Sequence, residues 1–323
     1  MEFGLQVGNL EFARYREVAQ EAEALGFHLI TFPDHIVLEQ PGGQYDEHAL
    51  AYDPIVTAAA VIEATKTIQV GHLVLCNLFR HPAITAQSLA TLDQLSGGRV
   101  IAGLGTGWTE TEFRMTGIPF PDIAARLAML DEALGCMRSL WKNDRTTFEG
   151  RFYRFQDAIL FPKPKHPMPI LIGGSGKGLL RVAAKHADVV NIISDVGKAG
   201  RIELQSLQKL TDDSYRSKIR FLREEAKRAG RDAAAIRMSN VIFTLMLTET
   251  RKQAEDAATG MMPVFGTTPE GVRQSPLVLI GTPEDCVTEL KRRAREWEIS
   301  QFIFSGGAER GMRRLWNEVL RHV

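Results

Sequence analysis

Cysteine is scarce in this sequence. Only three cysteines, Cys76, Cys136 and Cys286, occur among 323 residues, and they lie far apart without a CxxC pair. Their number and spacing exclude a disulfide framework and a cysteine-rich zinc site. Such sparing use of cysteine is typical of a reducing compartment, so we expect the protein to be cytoplasmic.

The sequence also lacks an excess of charge of either sign and any long apolar run. Lys plus Arg and Asp plus Glu both total 39, so no net field favours nucleic acid or an anionic membrane surface. No segment approaches the roughly 20 apolar residues of a membrane span, and residues 1–9 do not have the pattern of an export signal. We therefore predict a small-molecule substrate and no nucleic-acid or membrane partner.

Short β-rich runs alternate with longer segments of helical period along the chain. This alternation is typical of a parallel sheet with crossover helices, and the 44% of apolar residues is enough for a large core. Eight strand candidates favour a closed (β/α)8 TIM barrel of the α/β class, formed as one domain by residues 1–323. The predicted strands are 2–8, 27–32, 68–75, 100–104, 170–172, 189–193, 238–247 and 301–304.

Three segments depart from the alternation. Residues 143–169 are rich in aromatic residues, glycine and proline, which favours a hairpin insertion before the fifth strand. Residues 196–213 and 259–280 show no clear period, so we predict long active-site loops after the sixth and seventh strands.

Motifs rich in glycine and polar residues follow several of the predicted strands. Because the loops after the strands of such a barrel share one face, we expect these motifs to surround one site. They are Phe32-Pro33-Asp34-His35 after strand 2, Cys76-Asn77-Leu78-Phe79-Arg80-His81-Pro82 after strand 3, Gly103-Leu104-Gly105-Thr106-Gly107-Trp108 after strand 4 and Gly173-Gly174-Ser175-Gly176 after strand 5.

The segment from Gly173 to Gly176 ends a strand and opens a helix. Glycines in that position expose backbone N–H groups to an anion, so the segment predicts a phosphate site; a tight turn with a plain helix cap is the alternative. It is not a Walker loop, because Lys177 is followed by Gly178 instead of Ser or Thr.

Gly103, Gly105 and Gly107 imitate a dinucleotide-binding fingerprint. The third glycine is misplaced, however, and Trp108 stands where a packed helix should begin, so we reject a Rossmann site. We expect these glycines to keep Cβ atoms away from a flat ring over the barrel mouth, although turn formation alone also explains them.

His35 is the candidate acid or base. A histidine on the catalytic face is able to take a proton from an alcohol or to give one to an enolate, and the neighbouring Asp34 tunes it or binds the cofactor ring. A capping pair in a loop is the alternative. The eight histidines show no spacing typical of a metal site, so we expect no metal.

Several motifs in a fixed order resemble the luciferase-like monooxygenase superfamily, closely over residues 1 to about 195 and loosely beyond. Within it the chain is most similar to the branch that depends on the deazaflavin coenzyme F420. The motifs are Leu25-Gly26-Phe27, Pro33-Asp34-His35, Asp53-Pro54, His81-Pro82-Ala83, 91–99, 103–108, Gly117-Ile118-Pro119-Phe120, Phe148-Glu149-Gly150 and 172–176.

This resemblance implies a hydride transfer to or from C5 of F420 in a homodimeric enzyme. It also implies places for the cofactor: Asp34 and His35 near the deazaflavin ring, Asn77 and Thr106-Gly107 near its edge, and Gly173, Gly174, Ser175 and Gly176 at the phosphate. A cis non-proline peptide near Leu73-Val74 would carry the ring.

One departure from the resembled branch concerns the substrate. Sugar-phosphate dehydrogenases of this branch carry a catalytic glutamate directly after the Thr-Gly pair, where this chain has Trp108. Lys198 matches a substrate-phosphate lysine of the same group, but a solvated loop lysine is the alternative. The resemblance therefore leaves a sugar phosphate in doubt as the substrate, and assigns Trp108 and Lys198 to the substrate side.

Three other functions remain open. The chain is alternatively an FMN-dependent monooxygenase supplied by a separate flavin reductase, or a flavin-binding barrel without turnover. A cofactor-free barrel that acts on sugar phosphates is the third, and its glycine segment would hold substrate.

Overall fold

Eight parallel strands form a closed barrel at the centre of the molecule. The computed structural model describes residues 1–38, 44–193 and 208–323. The barrel closes because the first strand pairs with the eighth through Glu2 and Gln301, and the third pairs with the fourth through Val70 and Val100. This confirms the predicted TIM barrel. The eight barrel strands, in chain order, are Glu2–Gln6, Leu29–Phe32, Gln69–His72, Val100–Gly105, Ile170–Gly173, Val189–Asn191, Arg237–Ile242 and Ile299–Phe304.

Helices surround the barrel. Several of them begin at Asp or Thr side chains that cap the helix N-terminus. Asp53, for example, accepts hydrogen bonds from the N–H groups of Ile55 and Val56 at the start of its helix. The helices of the described residues are Phe12–Leu25, Pro54–Ala64, Pro82–Ser96, Glu110–Thr116, Ile123–Lys142, Lys177–His186, Asp212–Arg228, Arg251–Phe265, Pro269–Gln274, Pro283–Glu296 and Met312–Glu318, with 3-10 turns at Ala233–Ala235, Ala308–Gly311 and Leu320–His322.

The core has an inner and an outer part, as the two-residue alternation of strands requires. Six side chains, one from each of six barrel strands, pack together inside the barrel, and the larger cluster fills the space between barrel and helices. The inner six are Leu29, Ile101, Leu171, Val189, Val241 and Ile303. These side chains fill the inside of the barrel, so we look for a ligand site at its mouth.

A two-stranded antiparallel hairpin precedes the fifth barrel strand. Thr146–Glu149 pairs with Arg154–Ala158 in the segment where a hairpin insertion was predicted. Glu132 of the helix below accepts hydrogen bonds from the N–H groups of Phe152 and Tyr153, which attaches the hairpin turn to the barrel helices.

The prediction of a long loop for residues 259–280 is wrong. That segment contains the end of helix Arg251–Phe265, the helix Pro269–Gln274 and the start of strand Val278–Gly281, which pairs with Thr244–Leu247 outside the barrel. Gly260 and Pro263 conceal the helical period in the sequence, but the apolar cluster formed here stabilises the helices through tertiary packing.

Two other predicted boundaries change for related reasons. The predicted strand 238–247 is two strands, Arg237–Ile242 in the barrel and Thr244–Leu247 in the outer pair. The loop predicted for 196–213 falls mostly on residues 194–207, outside the described residues, and its end is already helix Asp212–Arg228.

The described ranges lack a membrane-spanning helix and a cluster of metal-binding side chains. None of their helices combines the length and the apolar character that crossing a membrane requires. Within the same ranges, His, Cys, Asp and Glu side chains do not gather in groups of three or more suited to a metal ion.

Candidate active site at the barrel mouth

A bulge formed by Leu73 and Val74 interrupts the third barrel strand at its carboxyl end. The two residues are joined by a cis peptide, as the resemblance implied, and the strand then continues as Leu75–Cys76. Gln6 donates a hydrogen bond from Nε2 to the Leu73 carbonyl oxygen at 2.7 Å. The bulge therefore has a fixed position at the rim of the barrel.

The glycines of the fourth strand make room for this bulge. A Cβ on Gly103 would lie 1.6 Å from the His72 carbonyl oxygen, and one on Gly105 would lie 2.6 Å from Cγ2 of Val74. The expectation that these glycines directly face a flat ring is wrong, because protein atoms already occupy the space beside them. A ring at the mouth would meet Val74 instead.

Asp34 is buried in an ion pair with Arg80. Its Oδ2 accepts hydrogen bonds from Arg80 Nη1 at 2.7 Å and from the Cys76 N–H at 2.8 Å, and its Oδ1 accepts from Arg80 Nη2 at 3.2 Å. Arg80 also binds Asp53 at 2.7 Å. Burial raises the pKa of Asp34, and the guanidinium of Arg80 opposes that shift. Asp34 thus ties the loops after strands 2 and 3 together.

His35 binds the carboxylate of Glu112. Its Nδ1 lies 3.2 Å and 3.3 Å from the two oxygens of Glu112, whose side chain is 3% exposed. The same carboxylate accepts hydrogen bonds from the N–H groups of Ile36 at 2.5 Å and Val37 at 3.2 Å. A carboxylate without a proton only accepts, so Nδ1 of His35 is the donor wherever Glu112 is in that form.

Trp108 packs against the imidazole of His35. The two rings meet edge to face with centroids 5.5 Å apart. The loop that carries Trp108 is fixed from below, where Arg126 donates from Nη1 to the Gly107 carbonyl at 2.6 Å and stacks on Phe120. The mouth therefore holds an indole directly beside the candidate acid or base.

Asn77 and Thr106 also lie on this face, as expected. Asn77 is buried and donates from its amide to the Tyr153 hydroxyl at 3.2 Å, while its backbone N–H binds the Gly105 carbonyl at 3.0 Å. Thr106 directly follows the fourth strand. Both residues therefore lie at the strand ends on the face that carries the bulge.

The segment Gly173 to Gly176 leads into helix Lys177–His186, whose first turn has no side-chain cap. Gly174 has φ +138° and donates its N–H to the Asn191 carbonyl at 3.0 Å, so its own N–H is used. Since no side chain among the described residues caps this turn, its N–H groups are the ones suited to an anion. Lys218 lies next to the segment, with Nζ 3.2 Å from the Ser175 carbonyl oxygen.

The chain with these motifs matches a known protein family. Residues 3–270 match the model of the luciferase-like monooxygenase family. The chain belongs to the luciferase-like monooxygenase family. The family predicted from the spaced motifs is therefore confirmed, in agreement with the barrel fold predicted from the alternating strands and helices.

Curated relatives of this luciferase-like chain include F420-dependent glucose-6-phosphate dehydrogenases. The one from Amycolatopsis mediterranei is 35% identical over 173 residues, which are 53% of this chain and 50% of the relative. The one from Kribbella flavida is 27% identical over 298 residues, or 90% and 87% of the two chains. In the first case the match spans only half the length of the relative.

Solved structures of this luciferase-like fold are also similar. A coenzyme F420 dependent tetrahydromethanopterin reductase from Methanopyrus kandleri aligns with TM-score 0.77 at 18% identity over 99% of both chains. An F420-dependent secondary alcohol dehydrogenase, in complex with an F420-acetone adduct, aligns with TM-score 0.77 at 23% identity over 100% of this chain and 98% of the other. At these identities the likeness shows the fold alone.

Most residues predicted from the sequence of this luciferase-like protein lie on one face, and two partners were missed. Lys198 lies outside the described residues. The sequence predicts no role for Glu112, and it shows Arg80 only as one residue of the motif after strand 3. The available signal for Glu112 was its place in the first turn of a short helix after the fourth strand.

Proposed function

We propose that this protein is an oxidoreductase that transfers a hydride between coenzyme F420 and a small organic substrate. The observation that carries the proposal is the His35–Glu112 pair at the barrel mouth, where Glu112 holds Nδ1 of His35. We assign the exchange of a proton to the other nitrogen, Nε2. F420, when bound, supplies C5 as the donor or acceptor of the hydride. Every other part of the reaction falls to side chains of this chain.

His35 acts as the acid or base in this proposal. For oxidation of an alcohol, Nε2 takes the hydroxyl proton, and the carboxylate of Glu112 stabilises the imidazolium that results. In the reverse direction the imidazolium returns the proton. Glu112 is the positioning residue, because its bond to Nδ1 fixes both the orientation of the ring and its tautomer.

The cofactor would lie across the predicted residues. Leu73 and Val74 supply the platform for the ring, Asn77, Thr106 and Gly107 its edge, and the uncapped first turn after Gly173, Gly174, Ser175 and Gly176 the phosphate site. We assign Asp34 to support of the site instead of to cofactor binding, because both of its oxygens already accept hydrogen bonds from Arg80 or Cys76. It holds the loops after strands 2 and 3 together.

The names of the relatives support F420 over FMN. Titration of the purified protein with each cofactor tests this choice. We expect F420 to bind at least tenfold more tightly than FMN, a preference that needs only about 1.4 kcal/mol. Substrate turnover should proceed without oxygen uptake.

Other outcomes would select the alternatives. Equal affinities together with oxygen uptake would favour an FMN-dependent monooxygenase supplied by a flavin reductase. Tight F420 binding with turnover unaffected by loss of His35 would remove the assigned base. Tight binding without turnover of any alcohol or carbonyl compound would favour a flavin-binding barrel without catalysis.

We also propose that the protein is a homodimer, in line with the family resemblance. Val56 is 59% exposed on helix Pro54–Ala64, and Ile84 and Leu95 are 54% and 48% exposed on the neighbouring helix Pro82–Ser96. Ile84 and Leu95 are three helical turns apart and share a face. Light scattering after gel filtration gives the mass of the assembly, and a monomer would contradict this proposal.

A further inference from the structure

Gln6 is the last residue of the first barrel strand and faces the inside of the barrel. Phe3 and Leu5 of the same strand belong to the cluster between barrel and helices, and successive residues of a strand point to opposite faces, so Gln6 points inward. It is partly buried, and its Nε2 donates a hydrogen bond to the Leu73 carbonyl oxygen at 2.7 Å. The side chain thus connects strand 1 to the bulge of strand 3.

The bulge of Leu73 and Val74 is also in close contact with two other strands. A Cβ on Gly105 of strand 4 would lie 2.6 Å from Cγ2 of Val74, and one on Gly173 of strand 5 would lie 3.1 Å from its Cγ1. Both side chains of the bulge pack on the inner cluster of the barrel. These contacts hold the side chains of the bulge, whereas the hydrogen bond from Gln6 holds the carbonyl oxygen of its central peptide.

The bond to Leu73 also determines how the amide of Gln6 is oriented. A carbonyl oxygen only accepts, so Nε2 is the end of the amide that faces Leu73. Oε1 is then directed elsewhere, and it is buried without a hydrogen-bond partner among the described residues. A buried oxygen without a donor lowers the stability of the folded protein. The advantage of glutamine at this position therefore lies in its bond to the bulge.

We propose that Gln6 is a positioning residue for the cofactor: its amide fixes the Leu73 carbonyl and thereby the surface on which the F420 ring rests. This inference rests on the proposed function, in which Leu73 and Val74 supply the platform for the ring. Hydride transfer depends steeply on geometry, and a displacement of about 1 Å costs on the order of a hundredfold in rate. A donor that holds the platform limits such displacement without touching the cofactor.

Gln301 provides a matched control on the neighbouring eighth strand. It lies two residues before Ile303 of the inner cluster and so faces the inside of the barrel as well. Its Nε2 donates to Glu2 at 3.0 Å, and its Oε1 is likewise without a partner among the described residues. It pairs with Glu2, at the end of the barrel opposite the mouth. The two glutamines therefore share their chemistry and differ in position.

The first experiment replaces each glutamine with methionine, which is similar in length but has no N–H donor. F420 affinity is measured by quenching of the cofactor fluorescence, and the circular dichroism of the bound ring reports its surroundings at saturation. We expect Gln6→Met to weaken F420 binding by about fivefold to tenfold, within the range that one hydrogen bond provides, and to change the circular dichroism of the ring. Gln301→Met should leave both quantities as in wild type.

The second experiment restores the donor by protonation. In Gln6→Glu, a protonated carboxyl donates its O–H to Leu73, whereas the carboxylate only accepts and repels the carbonyl oxygen. The F420 affinity of this variant, divided by that of wild type at the same pH, should therefore fall as the pH rises through the pKa of the new carboxyl. The division removes the titration of the cofactor itself. A side chain that only fills space would give a constant ratio.

The outcomes distinguish this inference from the function on which it rests. If the wild-type protein does not bind F420, the proposed function fails, and the inference fails with it. If wild type binds F420 and the two methionine variants bind it equally well, the function stands and Gln6 has no positioning role. Thermal melts without F420 show whether each variant is folded. If Gln6→Met is not, the pH dependence of Gln6→Glu decides, and a constant ratio overturns the inference.

Discussion

Two clusters of buried charge, one at the barrel mouth and one near the carboxyl end of the chain, use arginine in the same way. In the second, Arg293 is fully buried and binds Glu289 at 2.7 Å, Asn240 Oδ1 at 3.2 Å and three backbone carbonyls, those of Ser275, Pro276 and Val278. At the mouth, Arg80 binds two carboxylates. Both guanidinium groups are held by several partners.

The difference lies in what stands next to each cluster. Around Arg293 the polar groups are satisfied by one another, and Trp297 covers the guanidinium. Beside Arg80, the contact of His35 with Glu112 is made through Nδ1, and 20% of the His35 side chain is exposed. A network whose polar groups are all paired with one another stabilises the fold. A side chain that is held in position but remains partly exposed is suited to acid–base catalysis.

The largest expected effect breaks the closed cluster. Arg293→Met leaves several buried carbonyls and Glu289 without their donor, so the free energy of unfolding should fall by about 3–5 kcal/mol. Urea denaturation measures this change. The exposed Arg145, which pairs with Asp157 at the surface, is the matched control: Arg145→Met should alter stability far less. A similar fall in the free energy of unfolding in the two variants would mean that the buried Arg293 stabilises the protein no more than an exposed ion pair does.

The second prediction contrasts His35 with a histidine that is fully enclosed. His72 is completely buried, and burial lowers its pKa from 6.5 to about 4. The unfolded chain takes up a proton below pH 6.5 while the folded chain stays neutral until about pH 4. Stability from this group is therefore present above pH 6.5 and lost as the pH falls towards 4, by up to about 3 kcal/mol.

Stability measured against pH in wild type and in His72→Gln tests this linkage. Carboxylates titrate in the same range, so the difference between the two curves is the relevant quantity. It should change between pH 6.5 and 4, whereas the exposed His48→Gln should follow wild type. Parallel curves for wild type and His72→Gln would show that His72 charges readily in the folded protein.

The third prediction acts on the open part of the mouth. His35→Ala should slow hydride transfer by about a hundredfold, the usual contribution of a positioned acid or base, with the fold intact. Glu112→Gln keeps the shape but no longer fixes Nδ1 as the donor, so we expect a smaller loss, about tenfold, and a shifted pH profile of kcat. Single-turnover kinetics measures both. A Glu112→Gln variant with wild-type rate and pH profile would reduce Glu112 to a purely structural role.

The smallest expected effect concerns the uncapped helix after the fifth strand. Gly174 has φ +138°, and a Cβ there would lie 2.1 Å from Leu179, so substituting it would disturb the backbone. Gly176, at the N-cap, has φ −64°, a backbone conformation that any residue adopts. Gly176→Asp should cap the helix and weaken F420 binding about thirtyfold, or about 2 kcal/mol, since its carboxylate competes with the phosphate.

Gly176→Asn separates charge from capping. Asparagine caps a helix as well as aspartate does but is neutral, so its effect on F420 affinity should be smaller than that of aspartate. Fluorescence titration of both variants, with thermal melts of the unliganded proteins, provides the comparison. Wild-type affinity in Gly176→Asp would place the phosphate elsewhere.

Local patterns predicted the barrel, and tertiary contacts explain what they missed. The eight strand candidates follow from runs such as 100–104, where composition alone marks a buried strand. Gly260 and Pro263 misled the interpretation of 259–280, because burial of apolar side chains outweighed their local preference against helix.

The candidate site, like the fold, was predictable from the sequence only where the signal is local. His35 and the segment from Gly173 to Gly176 carry local signals. The bond between His35 and Glu112 joins residues 77 positions apart, and that between Arg80 and Asp34 spans 46. Neither separation leaves a pattern in the sequence, so the partner that orients the acid or base appears only when the fold is known.

The seam between the first and eighth barrel strands has a consequence for synthesis of the protein. Glu2–Gln6 pairs with Ile299–Phe304, and Glu2 accepts hydrogen bonds from Arg237 and Gln301. During synthesis, the first barrel strand is made long before the eighth. One edge of the first strand therefore stays unpaired until the eighth strand is made. A seam of such long contact order should close late, and nascent chains cut short before Ile299 should stay sensitive to protease at their first strand.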